Sequence, residues 1–222
     1  SAAARLSNNS SVLLLERENS LGYHASGRSA ASCIKDYGND TTRDLNAQSF
    51  EYLRTENTGV LSDRGLMVLA KKDQRNEFKK SSETLGLAEI DLAEALTAVP
   101  ILNSKIVAYA SYREDVYDLD TNLLILNFER EAKCNNAQIK NNSAVTKIEY
   151  SNSIWRVLTD NGEYCSAILV NAAGAWVDHI SNLAGIEKIG FLPMRRSMAR
   201  IPLPSEFDVA KWSFFSGPME DW

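Results

Sequence analysis

Short apolar runs alternate with helical patterns at both ends of the chain. Residues 2–6 are strong helix formers, and residues 12–15 form an apolar run between polar residues, as in a buried parallel strand. A crossover unit needs a parallel strand before such a helix, so we expect the chain to start inside a βαβ motif, through truncation or because flexible residues precede Ser1. Near the other end, residues 167–172 predict a second buried strand and residues 176–183 predict a helix.

The middle of the chain has a more mixed pattern. Amphipathic spacing predicts helices at residues 42–54, 74–85 and 121–135, with shorter helical segments at 29–34 and 90–95. Strands are predicted at residues 65–70, 105–111, 144–150 and 154–159. Asp40 or Thr41 is expected to cap the first long helix, Asp118 or Asp120 the last, and residues 151–153 to form a hairpin turn. The whole pattern predicts an α/β core interrupted by a more antiparallel segment.

Composition narrows the range of functions. The 222 residues are 44% hydrophobic and 24% charged, which is enough for a sizeable core. Lysine plus arginine number 24 and aspartate plus glutamate number 29, so the net charge is −5 and we expect no nucleic-acid partner. The longest apolar runs are far shorter than the roughly 20 residues that span a bilayer, so we expect no integral membrane segment.

Cysteine and histidine usage adds two expectations. Cys33, Cys134 and Cys165 are far apart, odd in number and without metal-binding spacing, which suits a reducing compartment and predicts a cytoplasmic protein. His24 and His179 are the only histidines, so the sequence offers few residues that could form a catalytic triad or a metal centre.

Three segments offer candidate ligand-binding residues. Glu16 closes the first apolar strand, where an acidic side chain can accept hydrogen bonds from ribose hydroxyls; an exposed strand end is the equally weighted alternative. The loop after it, residues 22–32, holds glycines, serines and Arg28 before a predicted helix start, where backbone N–H groups can hold a pyrophosphate. Ordinary turn and capping roles explain the same composition and are favoured on these residues alone.

The third segment, residues 169–176, ends a predicted strand in small residues and opens a helix. Small side chains at the carboxyl end of a strand let a ligand approach the backbone, and ligands of open α/β sheets bind at that edge. Tight strand-to-helix packing selects the same residues. The two interpretations are equal until the three segments are considered together.

Together, the three segments resemble the flavin-dependent D-amino-acid oxidase superfamily. The strings that carry the resemblance are LLLERE at 13–18, GYHASGRSAA at 22–31, Tyr37-Gly38, DLDT at 118–121, LVNAAGAW at 169–176 and PMRRS at 193–197. The D-arginine dehydrogenase-like enzymes are the subgroup that looks most similar. The resemblance implies an α/β fold: a Rossmann-like FAD-binding domain, incomplete at its N-terminus, with an inserted α+β substrate domain that carries an antiparallel sheet.

The resemblance also implies roles for individual residues. The implied cofactor-binding residues are Glu16 at the adenosine ribose, Arg17 at the adenine, Ser26, Gly27, Arg28, Ser29, Ala30 and Ser32 along the pyrophosphate and flavin, Val145 through its backbone at the adenine, and Ala173, Gly174 and Trp176 beside the cofactor. For catalysis, the resemblance implies that Arg196 pairs with the substrate carboxylate and that Tyr37 closes over the substrate from a lid loop. If Arg195 and Arg196 lie on a strand, only one of them can point into a pocket, because neighbouring side chains alternate.

Two positions depart from the arginine-oxidising relatives. Ser32 stands where those relatives have an imidazole near the flavin, and Leu66 stands where they have a carboxylate that grips the substrate guanidinium. Leucine would leave a buried cation unpaired, which is costly. We therefore expect a substrate pocket, with Leu66 in its wall, that favours neutral or apolar side chains.

The resemblance finally implies a domain organisation and an activity. The FAD-binding domain is expected from residues 1–62 and 113–182, and the substrate-binding domain from residues 63–112 and 183–222, with the last part incomplete. The implied activity is oxidative deamination of D-amino acids to 2-keto acids and ammonia by hydride transfer to flavin, with an electron acceptor of unknown identity. Two alternatives stay open: a related flavoenzyme that acts on glycine, N-methyl amino acids or 2-hydroxy acids, and a catalytically silent nucleotide-binding relative.

Overall fold

A computed structural model describes residues 1–195, 197–199, 201–202 and 205–217. The α-helices of this part of the chain are α1 (Ala2–Leu6), α2 (Asp40–Thr55), α3 (Arg75–Thr84), α4 (Leu92–Ala98), α5 (Thr121–Cys134) and α6 (Val177–Leu183). Its strands are β1 (Leu13–Leu15), β2 (Ser32–Cys33), β3 (Leu61–Asp63), β4 (Leu66–Ala70), β5 (Ala88–Ile90), β6 (Tyr109–Arg113), β7 (Tyr117–Leu119), β8 (Gln138–Lys140), β9 (Val145–Ser151), β10 (Ile154–Thr159), β11 (Gly162–Ser166) and β12 (Phe214–Ser216).

The chain divides into two compact units, each built from two separate segments. The first unit holds residues 1–29 and 125–200, and the second holds residues 30–124 and 201–222. The sequence predicts a discontinuous organisation as well, but its boundaries differ from this division. Residues 30–62 and 113–124, expected in the cofactor domain, lie in the second unit, and residues 183–200, expected in the substrate domain, lie in the first. The assignment of one domain to the cofactor and the other to the substrate stays a prediction.

The first unit contains a parallel strand pair and an antiparallel sheet. β1 pairs in parallel with β8, and Ala4 of α1 and Ala132 of α5 are buried together beside this pair. The sheet has the order β11-β10-β9, and the turn between β9 and β10 places Asn152 and Ser153 at φ values of 52° and 61°. Positive φ at both central residues matches the twist of a two-residue hairpin, as the sequence predicts.

The second unit is built around β4. Its larger sheet has the order β12-β4-β6-β5, with β4 antiparallel to β6 and parallel to β12. One face packs Met67 and Leu69 against a cluster that includes Ala95 of α4, and the other packs Leu66 and Val68 beside Phe78 of α3. Burial on both faces explains why β4 is continuously apolar rather than alternating. The smaller sheet has the order β2-β7-β3 and is antiparallel.

Helix capping agrees with the sequence at one helix and not at another. The side chain of Asn39 accepts a hydrogen bond from the amide of Thr42 at 2.9 Å and caps α2, so the predicted caps Asp40 and Thr41 are wrong. Asp120 accepts an amide hydrogen bond at the start of α5, as predicted. Asn39 has the extended backbone that lets an N-cap side chain fold back onto the first turn.

Strand pairing explains why two predicted elements are absent. Residues 167–172 do not form a strand, and Ile168 and Val170 are 77% and 53% exposed. A strand needs a hydrogen-bonded neighbour, and none of the strands in the described ranges pairs with this segment. The short helix predicted at residues 29–34 is replaced by a 3₁₀ turn at Ser26–Arg28 followed by β2, whose backbone pairs with β7.

The packing of β4 predicts a large effect of truncating Met67. This side chain is fully buried between the sheet and its covering elements, so we expect Met67→Ala to lower the free energy of unfolding by about 2–5 kcal/mol, measured by urea denaturation. Leu45→Ala, at a position of α2 that is 60% exposed, is the control and should change it by no more than about 0.5 kcal/mol. Equal losses in the two variants would contradict a packed core on this face.

Candidate functional site

Glu16 follows β1 and is fixed by backbone hydrogen bonds. Its N–H donates to the carbonyl of Lys140 at 2.8 Å, and its carbonyl accepts from the N–H of Ser143 at 2.8 Å. The side chain bends back, so that Oε1 accepts from the N–H of Glu18 at 2.9 Å. The other carboxylate oxygen, Oε2, has no hydrogen-bond partner within the described part of the chain and is available to a hydroxyl donor.

The segment after β8 is tied to the same strand end. Besides the bond from Ser143 to Glu16, the N–H of Asn142 donates to the carbonyl of Glu18 at 2.9 Å. β9 begins at Val145, two residues after Ser143. The Val145 backbone therefore continues a segment that is bonded directly to the end of β1.

The loop of residues 22–28 is a tight turn that depends on two glycines. Gly22 has a φ of 71°, and its carbonyl accepts from the N–H of Gly27 at 2.7 Å. A side chain at Gly27 would clash with the Gly22 carbonyl oxygen. Arg28 turns back onto the loop: Nε donates to the carbonyl of Tyr23 at 3.1 Å, and the guanidinium lies 4.9 Å from the centre of the Tyr23 ring. The composition that indicated a phosphate loop thus builds a compact turn whose exposed serines, Ser26 and Ser29, keep free hydroxyls.

Trp176 joins all three candidate segments. The guanidinium of Arg17 lies 5.0 Å from the centre of the Trp176 ring, and the imidazole of His24 lies 4.6 Å from it. Trp176 ends a 3₁₀ turn that starts at Gly174, where φ is 55°. Apart from the two chain neighbours of Gly174, no atom of the described residues lies within 4 Å of the position that a Cβ would take. Ala173 precedes this turn and is partly exposed. The backbone at Gly174 is therefore open to a ligand beside an aromatic surface that is 37% exposed.

His24 is the residue that sequence reasoning missed. Its Nε2 donates to Oε1 of Glu18 at 2.8 Å, and its ring meets that of Tyr23 at 5.1 Å. This hydrogen bond, with a smaller contribution from Arg17, lowers the pKa of Glu18 below its ordinary value. Glu18 and His24 are close in sequence, but Trp176 is distant from both and the three form no recognisable spacing, so the fold is needed to bring them together.

Asp178 fixes the segment that leads toward Arg196. Its carboxylate accepts hydrogen bonds from three successive backbone N–H groups, those of Ile189, Gly190 and Phe191, at 2.9–3.0 Å. Arg196 itself lies outside the described residues, so its predicted contact with the substrate carboxylate stays a prediction.

The remaining predicted site residues belong to the second unit. Ala30 is exposed, Ser32 begins β2, and Tyr37 is 56% exposed in the loop before α2. Leu66, at the start of β4, is only 7% exposed and packs within the apolar cluster of that sheet face. The structure therefore brings Glu16, Arg17, the 22–28 turn and Trp176 together within the first unit. Ala30, Ser32, Tyr37 and Leu66 belong to the second unit.

The described ranges hold neither a metal-binding cluster nor a helix suited to crossing a membrane. No group of three or more histidine, cysteine, aspartate or glutamate residues is arranged to hold a metal ion there. Across the same ranges, none of the helices combines the length and the apolar character needed to cross a bilayer.

The hydrogen bond between His24 and Glu18 predicts how the pKa of Glu18 responds when His24 is replaced. Because the pKa of Glu18 is lowered, the carboxylate stays ionised below the ordinary value of 4.5; its stabilising contribution is present above 4.5 and is lost as the pH falls through the folded-state pKa. We expect His24→Gln to raise the pKa of Glu18 toward 4.5, measured by NMR titration of the carboxyl carbon. The internal control is Glu163, whose pKa is lowered by Arg156 and should not move. An unchanged Glu18 titration would contradict the assigned hydrogen bond.

The chain is similar to a known protein family and to several solved structures. Residues 1–220 match the family described as FAD dependent oxidoreductase (DAO). Similar solved structures include glycine oxidase from Geobacillus kaustophilus, with a TM-score of 0.70, 20% identity, and coverage of 83% of this chain and 54% of that one. L-proline dehydrogenase from P. horikoshii has a TM-score of 0.69 and 22% identity, covering 83% of this chain and 52% of that one.

A third similar structure contains the cofactor. L-alpha-glycerophosphate oxidase from Mycoplasma pneumoniae, with FAD bound, has a TM-score of 0.69 and 20% identity, covering 82% of this chain and 53% of that one. The present chain thus spans about half the length of these structures, and the likeness confirms the predicted α/β fold class. The cofactor is FAD, and the chain belongs to the FAD dependent oxidoreductase (DAO) family.

Proposed function

We propose that the protein is an FAD-dependent oxidoreductase that deaminates D-amino acids with neutral or apolar side chains to 2-keto acids and ammonia. The observation that carries this proposal is the set of mutual contacts among residues 16–18, the turn at 22–28 and Trp176 in one compact unit. Three segments that are separated by up to about 150 residues form one surface with a free carboxylate oxygen, open backbone and an exposed indole face.

The residues of this surface fit an FAD molecule. Glu16 Oε2 can accept from the ribose hydroxyls, and the Val145 backbone and Arg17 can contact the adenine. The hydroxyls of Ser26 and Ser29 and the remaining N–H groups of Arg28 can bind the pyrophosphate. Gly174 leaves room for the cofactor to approach the backbone, and Ala173 and Trp176 flank that opening.

Substrate binding is assigned to residues that orient the amino acid. When bound, FAD supplies the acceptor for the hydride that leaves the substrate α-carbon. Arg196 would hold the substrate carboxylate in a charge-assisted, two-pronged hydrogen bond and so fix the position of the α-hydrogen. Tyr37 would cover the bound substrate and limit the access of water. The substrate amine must be neutral to form the imine, so turnover should fall at acidic pH.

The preference for neutral or apolar side chains rests on Leu66. This residue is buried on β4 in an apolar cluster with Val68 and Phe78. A guanidinium placed against such a surface would lose its hydration without gaining an ion pair. An apolar substrate side chain has no such hydration to lose at the same place.

The first test concerns the cofactor. We expect Glu16→Ala to weaken FAD binding by about 10- to 100-fold, since it removes hydrogen bonds to a charged acceptor. Titration of the apoprotein with FAD, followed by quenching of tryptophan fluorescence, measures this change. The control is Glu129→Ala on α5, which breaks a surface ion pair with Lys133 and should leave FAD affinity unaltered. Equal affinity in Glu16→Ala and the unsubstituted protein would contradict the assigned ribose contact.

The second test concerns the reaction. The purified protein should be yellow, and under anaerobic conditions D-methionine, D-leucine or D-phenylalanine should bleach it faster than D-arginine does. Arg196→Ala should reduce bleaching by about 100-fold or more and keep its flavin, because its predicted contact is with the substrate only. A strong preference for D-arginine would overturn the assigned specificity, and loss of flavin from Arg196→Ala would make that residue structural.

A related reaction is the second candidate. The similarity to a glycine oxidase and an L-proline dehydrogenase favours other amino acids as alternative substrates, so the same bleaching assay should include glycine, sarcosine, L-proline and a 2-hydroxy acid. A protein that binds FAD and is bleached by none of these compounds would be a nucleotide-binding relative without turnover.

A further inference from the structure

The loop of residues 34–38 joins β2 to α2 and is anchored on both sides of Tyr37. Asn46 of α2 donates from Nδ2 to the carbonyl of Tyr37 at 3.1 Å and to that of Ile34 at 3.3 Å. The Ile34 side chain packs against the apolar cluster of β4. The Tyr37 side chain, in contrast, is 56% exposed. A tethered backbone therefore carries a free aromatic side chain.

Arg113 is the strongest of these anchors. Its Nη1 lies 3.0 Å from both carboxylate oxygens of Asp36 and also donates to the carbonyl of Leu85 at 2.7 Å. Its Nε and Nη2 donate to the two oxygens of Asp115 at 2.7 and 2.8 Å. The Arg113 side chain is only 11% exposed, whereas the side chains of Asp36 and Asp115 are 54% and 47% exposed, so the ion pairs lie at the protein surface with a largely buried guanidinium. All three guanidinium nitrogens therefore donate to groups of the protein itself.

Arg113 also faces the strand that carries Leu66. In the antiparallel pair of β4 and β6, Leu66 lies directly opposite Arg113. Directly opposed residues project their side chains from the same face of a sheet. One side chain thus connects the strand that begins at Leu66 to the residue that precedes Tyr37, and every member of this connection lies in the second unit.

We propose that Arg113 is a positioning residue that sets the distance between the Tyr37 loop and the Leu66 strand through its ion pair with Asp36. This inference rests on the proposed function, in which Tyr37 and Leu66 both face the substrate. Arg113 acts through Asp36 and touches neither substrate nor cofactor.

This arrangement changes the expected mode of closure. A loop held at Ile34, Asp36 and the Tyr37 carbonyl does not swing as a body, so Tyr37 closes over the substrate by rotation of its own side chain. Loss of the ion pair leaves the loop held by Asn46 alone and makes the starting position of the ring more variable. We therefore expect the loss to weaken productive substrate binding and to leave FAD binding unchanged.

Hydrogen exchange tests the tether without any need for turnover. In the FAD-loaded protein, Asp36→Asn should speed exchange of the amides at residues 35–38 by roughly fivefold or more, because it removes the charged half of the ion pair and keeps its shape. The matched control is Glu89→Gln, which removes a carboxylate from the bidentate pair with Arg75 in the same unit and should leave residues 35–38 unchanged. Unchanged exchange in Asp36→Asn would overturn the proposal.

Kinetics test whether the tether acts through Tyr37. Asp36→Asn and Arg113→Lys should raise the KM for a D-amino acid by roughly fivefold or more at unchanged flavin content, whereas Asp36→Asn should have less than about a twofold effect in a Tyr37→Ala background. An equal effect in both backgrounds would show a merely structural role and overturn the proposal. If the unsubstituted protein binds FAD but no amino acid bleaches it, the proposed function fails, and the exchange measurement alone then decides whether Asp36 tethers the loop.

Discussion

The backbone hydrogen bonds that join the end of β1 to the end of β8 are the constraint on which the first unit depends. They fix Glu16 between Lys140 and Ser143, and this position determines where Arg17 and Glu18 can project. The guanidinium of Arg17 lies against the indole ring of Trp176. Glu18 accepts a hydrogen bond from His24, whose imidazole lies against the same ring. A three-residue parallel pair thereby organises side chains from three distant parts of the chain.

The sequence predicted the elements whose signals are local. The hairpin at residues 151–153, the Asp120 cap and the apolar strand β4 each depend on neighbouring residues, and each is present. The predicted strand at residues 167–172 is absent because strand formation depends on a partner elsewhere in the chain, which no local pattern reveals. Short strands such as β2 and β12 were missed for the same reason, since two or three residues carry too little periodicity.

The candidate site shows the same division between local and distant information. The residue types at Glu16, the glycine-serine loop and Gly174 could be recognised from the sequence, and the resemblance linked them to one cofactor. The role of His24 and the anchoring of Tyr37 by Asn46 and Arg113 could not, because both depend on side chains brought together only by folding. Arg113 in particular has no local sequence signal, because its partners Asp36 and Leu85 reach it only in the folded second unit.

The carboxylate of Asp178 extends the influence of α6 beyond the helix itself. Three consecutive amides, which would otherwise need a strand or water as acceptors, all end on this one side chain. Since α6 directly follows the 3₁₀ turn of Trp176, the helix that carries Asp178 is joined through its backbone to the indole. One short helix thus links the exposed indole at its start with the three amides that its acidic side chain holds in place.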